Sequence, residues 1–281
     1  MVETRIPIGL GARAEVYAWR PGQAVKLFPE SAEPGEIARE ARLGLLAEAS
    51  GLPVPRVSGL VEFEGRPGIV MERLPGRTMH EILRDQPWRS GRLAVILAGL
   101  HATIHARTIQ EPQAAELPDQ RDVLRLRLLA APGLPDQVRE AVLEALAALP
   151  DGDRLCHGDF LPANVMLSPG GPAAIIDWPD ACRGDPLADV ARTVAGLRVY
   201  HSGSRGRLRP VLVWMAARLF ETSYLATYRR LRPFARRELA AWLPLAAAAR
   251  LTLKMDHERS TLLRLAAGRR GPAGASAFSR R

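Results

Sequence analysis

Residues 155–178 read LCHGDFLPANVMLSPGGPAAIIDW, and the interpretation of the whole chain starts from this stretch. Two short apolar runs flank a Ser-Pro-Gly-Gly turn at residues 168–171, which predicts a β-hairpin. Asp159 and Asn164 lie on the loop that enters the hairpin, and Asp177 lies at its exit. Two carboxylates and an amide can therefore converge on one side. Such oxygens suit a magnesium ion with phosphate ligands, and the second carboxylate can orient a hydroxyl.

Length and composition favour a globular protein of one large or two small domains. The chain has 281 residues, of which 47% are hydrophobic, so it can bury a substantial core. Its longest apolar run, residues 239–249, is interrupted by Pro244 and is too short to cross a bilayer. No secretory leader is evident in the first ten residues. Cys156 and Cys182 are too few for a disulfide framework and lack metal-ligand spacing, so we expect buried thiols in a cytoplasmic protein with no membrane partner.

The net charge of +9 is concentrated in the last third of the chain. From Tyr200 onward there are 17 Arg and Lys against 4 Asp and Glu, a net of +13, which leaves −4 on the first 199 residues. A basic field of this size can attract nucleic acid or an anionic substrate. The arginines are scattered over helical segments without interleaved aromatic side chains, so a solvated basic face is favoured and no nucleic-acid partner is expected.

The N-terminal region carries a glycine-rich turn before a short strand. Gly9 and Gly11 precede an alternating pattern at residues 14–19, and a second alternating run follows at residues 24–28. The pattern predicts a second hairpin, whose preceding turn can lay backbone N–H groups over a phosphate chain. Two glycines before a strand also fit an ordinary tight turn.

Lys26 is informative because the chain contains 37 Arg and only two Lys. A compact ammonium fits between phosphate oxygens and a carboxylate where a planar guanidinium does not. The predicted helix at residues 33–50 offers Glu40 as a partner, since Glu40 lies on its inward face at helical spacing. A surface lysine on an edge strand also fits. The other glutamates of this helix are alternative partners: Glu33, Glu36 and Glu48.

Two further strands, at residues 56–63 and 68–73, bring the N-terminal region to about five strands and one helix. Beyond Gly76 the apolar spacing is helical, apart from the central hairpin. Predicted helices lie around residues 93–104 and 138–149, and over residues 186–199, 208–231, 235–249 and 251–267. Residues 268–281 are predicted to form a disordered tail.

His101 and His105 on the first of these helices have the i, i+4 spacing that can suit a metal ion. The glutamate of a zinc-protease motif is missing, and no third ligand is apparent in the sequence. Core or surface histidines are therefore favoured over a metal site.

Taken in chain order, the glycine-rich turn, the Lys26 strand, the Glu40 helix and the central hairpin resemble the aminoglycoside phosphotransferase family. This family is a branch of the protein-kinase-like fold that also includes choline-kinase-like and other small-molecule kinases. The resemblance spans about residues 5–200. Its most specific parts are His-Gly-Asp at 157–159 with Asn164, Ile-Asp-Trp at 176–178 and Gly-Asp-Pro-Leu-Ala-Asp at 184–189. The weaker parts are residues 9–17, Ala-Val-Lys at 24–26, Arg-Glu-Ala at 39–41 with Leu-Pro-Val-Pro at 52–55, and Val-Met-Glu-Arg-Leu-Pro-Gly at 70–76.

The resemblance implies an α+β, protein-kinase-like two-lobe fold. Residues 1–74 would form a small β-rich nucleotide-binding lobe with one helix, and residues 75–267 a larger, mainly helical lobe for catalysis and acceptor binding. Asp159 would orient the acceptor hydroxyl and accept its proton, and His157 would support the catalytic loop. The remaining implied contacts are with ATP and Mg²⁺: Asn164 and Asp177 with the metal, Lys26 and Glu40 with the phosphates, Gly9 and Gly11 over them, and the backbone from Glu72 to Leu74 with the adenine.

Transfer of the γ-phosphate of ATP to a hydroxyl of a small molecule is the function that these features favour. The acceptor is left open; a sugar, an amino-acid alcohol or a non-aminoglycoside antibiotic is preferred because a basic C-terminal region repels polycationic aminoglycosides. Glu221, Glu238, Asp256 and Glu258 can still cluster to bind them. The alternative is a nucleotide-binding pseudokinase with a regulatory role. A protein kinase is disfavoured because only six residues separate Asp177 from Gly184.

Overall fold

The computed structural model describes residues 6–11, 13–109, 113–200, 210–253 and 255–268. These residues belong to two compact units. The N-terminal unit comprises Met1–Asp85, Ile109–Leu117 and Pro162–Ala181, and the C-terminal unit comprises Gln86–Thr108, Pro118–Leu161 and Cys182–Arg281. The predicted boundary after residue 74 stays a prediction. The predicted disordered tail lies outside the described residues from residue 269 onward.

Ten strands and nine α-helices are found within the described ranges. The strands are β1 (Gly9–Leu10), β2 (Glu15–Ala18), β3 (Gln23–Leu27), β4 (Val57–Phe63), β5 (Arg66–Glu72), β6 (Arg77–Thr78), β7 (Arg154–Cys156), β8 (Val165–Leu167), β9 (Ala173–Ile175) and β10 (Cys182–Gly184). The helices are α1 (Pro34–Ala49), α2 (Met79–Asp85), α3 (Ser90–His105), α4 (Gln120–Ala130), α5 (Asp136–Ala148), α6 (Pro186–Tyr200), α7 (Pro210–Leu231), α8 (Arg236–Arg250) and α9 (Asp256–Ala266).

The N-terminal unit is built on an antiparallel five-stranded sheet in the order β1-β2-β3-β5-β4. Glu64 and Gly65, with φ of 52° and 74°, close the β4–β5 hairpin in the left-handed conformation that such two-residue turns require. Helix α1 begins at Pro34, where proline costs no hydrogen bond, and buries Ile37 and Ala41 against the sheet. This confirms the expected five strands and one helix.

The central hairpin also forms as expected, within the same unit. Strand β8 pairs with β9, with Val165 opposite Ile175, and β6 adds a third strand on the other side of β8. Gly76, at φ 110°, precedes β6, and a Cβ there would lie 2.2 Å from the carbonyl oxygen of Leu167. Only glycine fits this close approach without displacing the backbone.

The C-terminal unit is mainly helical. Helix α3 packs along α7, and α8 lies in the middle of a second cluster with α4, α5, α6 and α9. The second cluster buries Leu128, Trp242 and Leu245. The small side chains at residues 246–249 let α8 approach its neighbours closely. Strands β7 and β10 pair with Cys182 directly opposite Cys156, and both thiols are buried and free.

One helix prediction is wrong, and two helices were not predicted. The single helix predicted at residues 251–267 is wrong: residues 251–253 form a 3₁₀ turn, and α9 begins at Asp256. At this break Met255 is extended, at φ −92° and ψ 98°. The sequence patterns missed α2, which has 7 residues, and α4, which has 11. No described helix is both long enough and apolar enough to cross a membrane.

Candidate active site

In the N-terminal unit, one lysine holds two carboxylates. Lys26 lies in β3, and its Nζ is 2.5 Å from Oε1 of Glu40 in α1 and 2.7 Å from Oδ1 of Asp177, which follows β9. The structure therefore selects Glu40 among the glutamates of α1 as the partner of Lys26. Lys26 and Glu40 are largely buried, whereas the Asp177 side chain is 39% exposed.

The charges of this cluster stabilise one another. Burial by itself lowers the pKa of Lys26, but the carboxylates of Asp177 and Glu40 more than offset it, so that the pKa lies above its ordinary value. Burial raises the pKa of Glu40, and Lys26 limits that rise. Lys26 therefore stays a permanent cation whose position is fixed from two sides.

Asp177 has a backbone conformation that side-chain-bearing residues rarely adopt. Its φ is 66°, in the left-handed region, which costs about 1–2 kcal/mol for a residue with a Cβ. The adjacent N–H of Ile176 donates to the carbonyl oxygen of Asn164 at 3.0 Å, so Asn164 and Asp177 belong to the same end of the hairpin. A carboxylate and an amide oxygen are suitable donors for Mg²⁺, and the exposed Asp177 side chain is accessible to it.

The remaining residues predicted to contact the nucleotide lie in the sheet of this unit or directly after its strands: Gly9 and Glu72 are in strands, Gly11 follows β1 and Leu74 follows β5. Gly9 in β1 pairs with Val16 in β2, and the N–H of Gly11 donates to the carbonyl oxygen of Ala14, which closes the turn. Glu72 ends β5, and its N–H donates to the carbonyl oxygen of Arg56.

A cavity of about 380 Å³ in this unit lies beside α1, on the side of Phe28, Arg39 and Pro179. Neither Glu72 nor Leu74 lines it, so it is distinct from the site proposed for the adenine. Arg13, at the tip of the glycine-rich turn, lines the cavity together with Glu40.

In the C-terminal unit, Asp159 follows β7 in a loop held by hydrogen bonds. The N–H of Asp159 donates to Nδ1 of the fully buried His157 at 3.3 Å, and the ring of His157 packs edge-on against Phe160. Gly158 between them has a φ of 79°, which glycine adopts without strain. The Asp159 side chain is one third exposed and is thus accessible to a small molecule.

Asp189 in α6 anchors this loop from inside the unit. Its Oδ2 accepts the N–H of His157 at 2.7 Å, and its Oδ1 accepts the N–H of Gly158 at 3.0 Å. Nε2 of His101 and Nε2 of His105 lie 3.2 and 3.3 Å from the same Oδ2. These contacts hold the pKa of the buried Asp189 well below its usual range, even though burial alone raises it.

The two histidines are neutral bridges in a buried hydrogen-bond network. Burial lowers the pKa of both, that of His105 to about 3. Nδ1 of His101 lies 2.6 Å from the Tyr224 hydroxyl, and Nδ1 of His105 lies 2.7 Å from that of Tyr228. Because the carboxylate can only accept, we assign the proton of each ring to Nε2, and each tyrosine donates to Nδ1.

Asp189 could complete a three-residue ligand set with His101 and His105, which the sequence did not reveal. Every polar atom of the trio has a hydrogen-bond partner from the protein, and all three side chains are fully buried. Hydrogen bonds within the protein therefore satisfy every donor and acceptor of the three side chains. This supports the interpretation of His101 and His105 as core histidines.

Arg250 is a neighbour of Asp159 that the sequence patterns did not reveal. Its Nη1 lies 3.8 Å from Oδ1 of Asp159. Its Nε and Nη2 donate to the two carboxylate oxygens of the buried Glu258, at 2.8 and 3.1 Å. The chain has 37 arginines, and no local sequence pattern distinguishes Arg250 from the others. Its contact with Asp159, which lies 91 positions earlier, could therefore not be predicted.

The comparisons with known proteins agree with the fold and with the sequence motifs. The family model described as "Phosphotransferase enzyme family" matches residues 4–234. The homoserine kinase of Pseudomonas aeruginosa strain LESB58 is 31% identical to this chain over 206 residues. The match covers 68% of this chain and 60% of the relative's length.

Two solved structures share the protein-kinase-like fold. The aminoglycoside-3'-phosphotransferase of type VIII has 23% identity and a TM-score of 0.60, with 89% of this chain and 93% of that chain covered. A thermostable mutant of aminoglycoside phosphotransferase APH(4)-Ia, in a ternary complex with ADP and hygromycin B, has 18% identity and a TM-score of 0.63, with 97% and 95% covered. The fold is thus the expected α+β one, with a β-rich sheet region and a mainly helical region. The chain belongs to the phosphotransferase enzyme family.

Proposed function

We propose that this chain is an ATP-dependent kinase that transfers the γ-phosphate to a hydroxyl of a small molecule. The observation that carries the proposal is the cluster of Lys26, Glu40 and Asp177, in which one buried ammonium is held by two carboxylates from separate elements. Such a cluster suits the phosphates and metal ion of a nucleotide. Family membership and the Asp159 loop support the same reaction.

In the proposed mechanism, Lys26 contacts the phosphates of ATP, and Glu40 keeps its ammonium oriented. The glycine turn at Gly9 and Gly11 covers the phosphates. Asn164 and Asp177 would hold Mg²⁺, which when bound neutralises charge on the phosphate oxygens. Leu74 is proposed to donate its N–H to the adenine, and within the described ranges that N–H has no protein acceptor.

Asp159 is proposed to orient the acceptor hydroxyl and to take its proton. The hydroxyl oxygen then forms a bond to the γ-phosphorus while the bond from that phosphorus to the bridging oxygen of ADP breaks. The products are a phosphate ester, ADP and a proton. Because the transition state is loose, positioning by His157 and Asp189 matters more than covalent chemistry.

Among acceptors, we propose an amino-acid alcohol first. The support comes from the similarity to homoserine kinase, a protein named for a substrate of this chemical kind. This chain spans 60% of that relative's length, so the acceptor needs its own test.

The use of ATP also favours the cytoplasm, where free thiols such as those of Cys156 and Cys182 remain reduced.

The test is an ATP-consumption screen over amino-acid alcohols, sugars and antibiotics, with homoserine and hygromycin B included. We expect acceptor-dependent ADP release that Asp159→Ala lowers by at least about 100-fold. Asp177→Ala should abolish it through loss of the metal. Asp153→Ala, which removes an exposed carboxylate six residues from Asp159, is the matched control and should retain turnover. Nucleotide binding without turnover of any acceptor would favour the pseudokinase instead.

A further inference from the structure

Arg250 is fixed beside the proposed catalytic carboxylate. It ends α8, and its side chain is 12% exposed. The bidentate contact with Glu258 occupies Nε and Nη2 and leaves the Nη1 edge directed toward Asp159. Because a guanidinium is planar, fixing one edge also fixes the direction of the other. The Nη1 hydrogens are thus presented beside the point where the acceptor hydroxyl would bind.

The backbone of α6 leaves room for this arrangement. A Cβ at Gly196 would lie 3.4 Å from Nη1 of Arg250 and 2.7 Å from Cδ2 of Leu161. Glycine at this position therefore lets both side chains approach the helix. At 3.8 Å from Asp159, Nη1 is too far for a direct hydrogen bond, and within the described ranges it donates none to the protein.

The acidic residues of the C-terminal region do not form a shared pocket for a cation. Glu221 is buried and contacts Arg198 and Arg218. Glu258 is occupied by Arg250, and Glu238 accepts the backbone N–H of Ala235 at the start of α8. The fourth residue, Asp256, is exposed in the first turn of α9. A polycationic acceptor would thus meet a guanidinium rather than a group of carboxylates at Asp159.

We infer that Arg250 binds a carboxylate of the acceptor, and hence that the acceptor is a small molecule carrying both a hydroxyl and a carboxylate. The inference rests on the proposed function, because it takes Asp159 as the group that receives the hydroxyl. A hydroxyl at about 2.7 Å from Asp159 and a carboxylate oxygen at about 2.9 Å from Nη1 are both within reach of a molecule whose two groups are a few bonds apart. Charge-assisted hydrogen bonding by a fixed guanidinium then selects the carboxylate.

The experiment compares hydroxylated carboxylates, such as serine and 4-hydroxybutyrate, each with its carboxamide, and adds hygromycin B as a cationic acceptor. Turnover and thermal stabilisation by each compound are measured for the parent chain, Arg250→Lys and Arg250→Gln. The double variant Arg250→Gln/Glu258→Gln avoids leaving a buried unpaired carboxylate. Arg198→Gln is the matched control, since Arg198 also makes two hydrogen bonds to a buried glutamate.

We expect the parent to prefer the carboxylates over their carboxamides by at least about 10-fold in kcat/KM. Arg250→Gln and the double variant should abolish the preference, mainly through KM, while Arg250→Lys keeps part of it and Arg198→Gln keeps it fully. Efficient turnover of carboxamides or hygromycin B by the parent would overturn the inference but leave the kinase proposal intact. A preference that survives in Arg250→Gln would overturn it as well.

The binding measurement separates the two proposals. Carboxylates that stabilise the parent but not Arg250→Gln, without being phosphorylated, would support the carboxylate site and contradict the kinase. If no compound stabilises the parent or is turned over, both proposals fail.

Discussion

Nζ of Lys26 lies 2.7 Å from Oδ1 of Asp177, although the two residues are 151 positions apart in the sequence. The same ammonium contacts Glu40, so a strand, a helix and the exit of the central hairpin meet at one positive charge. Removal of that charge has consequences for folding as well as for nucleotide binding.

Lys26→Met should lower the free energy of unfolding by about 2–3 kcal/mol, because it leaves the buried Glu40 without its cation. The value lies below that of a fully buried pair, since Lys26 keeps some exposure. Lys26→Met/Glu40→Gln should recover most of the loss. Urea unfolding of the parent, Lys26→Met, Glu40→Gln and the double variant completes a double-mutant cycle, which gives the coupling free energy between the two side chains. If the effects of the two single changes on the free energy of unfolding were strictly additive, the Lys26–Glu40 pair would contribute nothing to stability.

Asp177→Gly and Asp177→Ala should differ in stability while sharing the same loss of turnover. Both remove the carboxylate, but alanine must adopt the left-handed φ of 66° and glycine does so without strain. We expect the glycine variant to be more stable by about 1 kcal/mol, as measured by chemical denaturation. Equal stabilities would mean that the turn relaxes when the side chain is lost.

Stability should fall as the pH is lowered below 6.5, in part through His105. Its pKa is about 3 in the folded protein against an ordinary value of 6.5, so between these pH values the unfolded chain binds a proton that the folded protein does not. The free energy of unfolding therefore decreases with falling pH by up to about 1.4 kcal/mol per pH unit for this residue. His105→Gln should make the dependence shallower in urea titrations at pH 6.5, 5.5 and 4.5. An unchanged slope would contradict the assignment.

Gly76→Ala should destabilise the protein by more than about 2 kcal/mol, because its φ is 110° and the new Cβ would overlap the carbonyl oxygen of Leu167. Gly170→Ala is the matched comparison. It has a φ of 71° but no atom within 4 Å of the added Cβ, so it should cost only about 1 kcal/mol. Thermal unfolding of the two variants under the same conditions tests the difference.

The parts of the fold that could be predicted are those encoded by short-range patterns. Alternating residues and turn glycines were enough for the five-stranded sheet and for the central hairpin. Glu40 could be chosen as the partner of Lys26 because helical spacing puts it on the inward face of α1. The one wrong helix, at residues 251–267, failed because apolar spacing continues through a backbone break at Met255.

The contacts of Asp159 with Arg250 and of Asp189 with His101 could not be predicted. They join residues 91 and 88 positions apart, and no local sequence pattern tells which of these residues contact each other. Such pairs depend on how helices pack, which single-sequence periodicity does not encode. The proposal of a carboxylate-bearing acceptor therefore rests on the environment of Asp159 in the structure and not on the sequence.

The scarcity of lysine gives the Lys26 cluster a practical use. The chain has only two side-chain amines, at Lys26 and Lys254, whereas its other cations are guanidinium groups that do not react with acylating reagents. Lys26 is mostly buried between Glu40 and Asp177, so a free acylating reagent reaches it poorly, but an acyl phosphate derivative of ATP would deliver its reactive carbon directly to it. Covalent labelling at a single residue would then report nucleotide occupancy without knowledge of the acceptor.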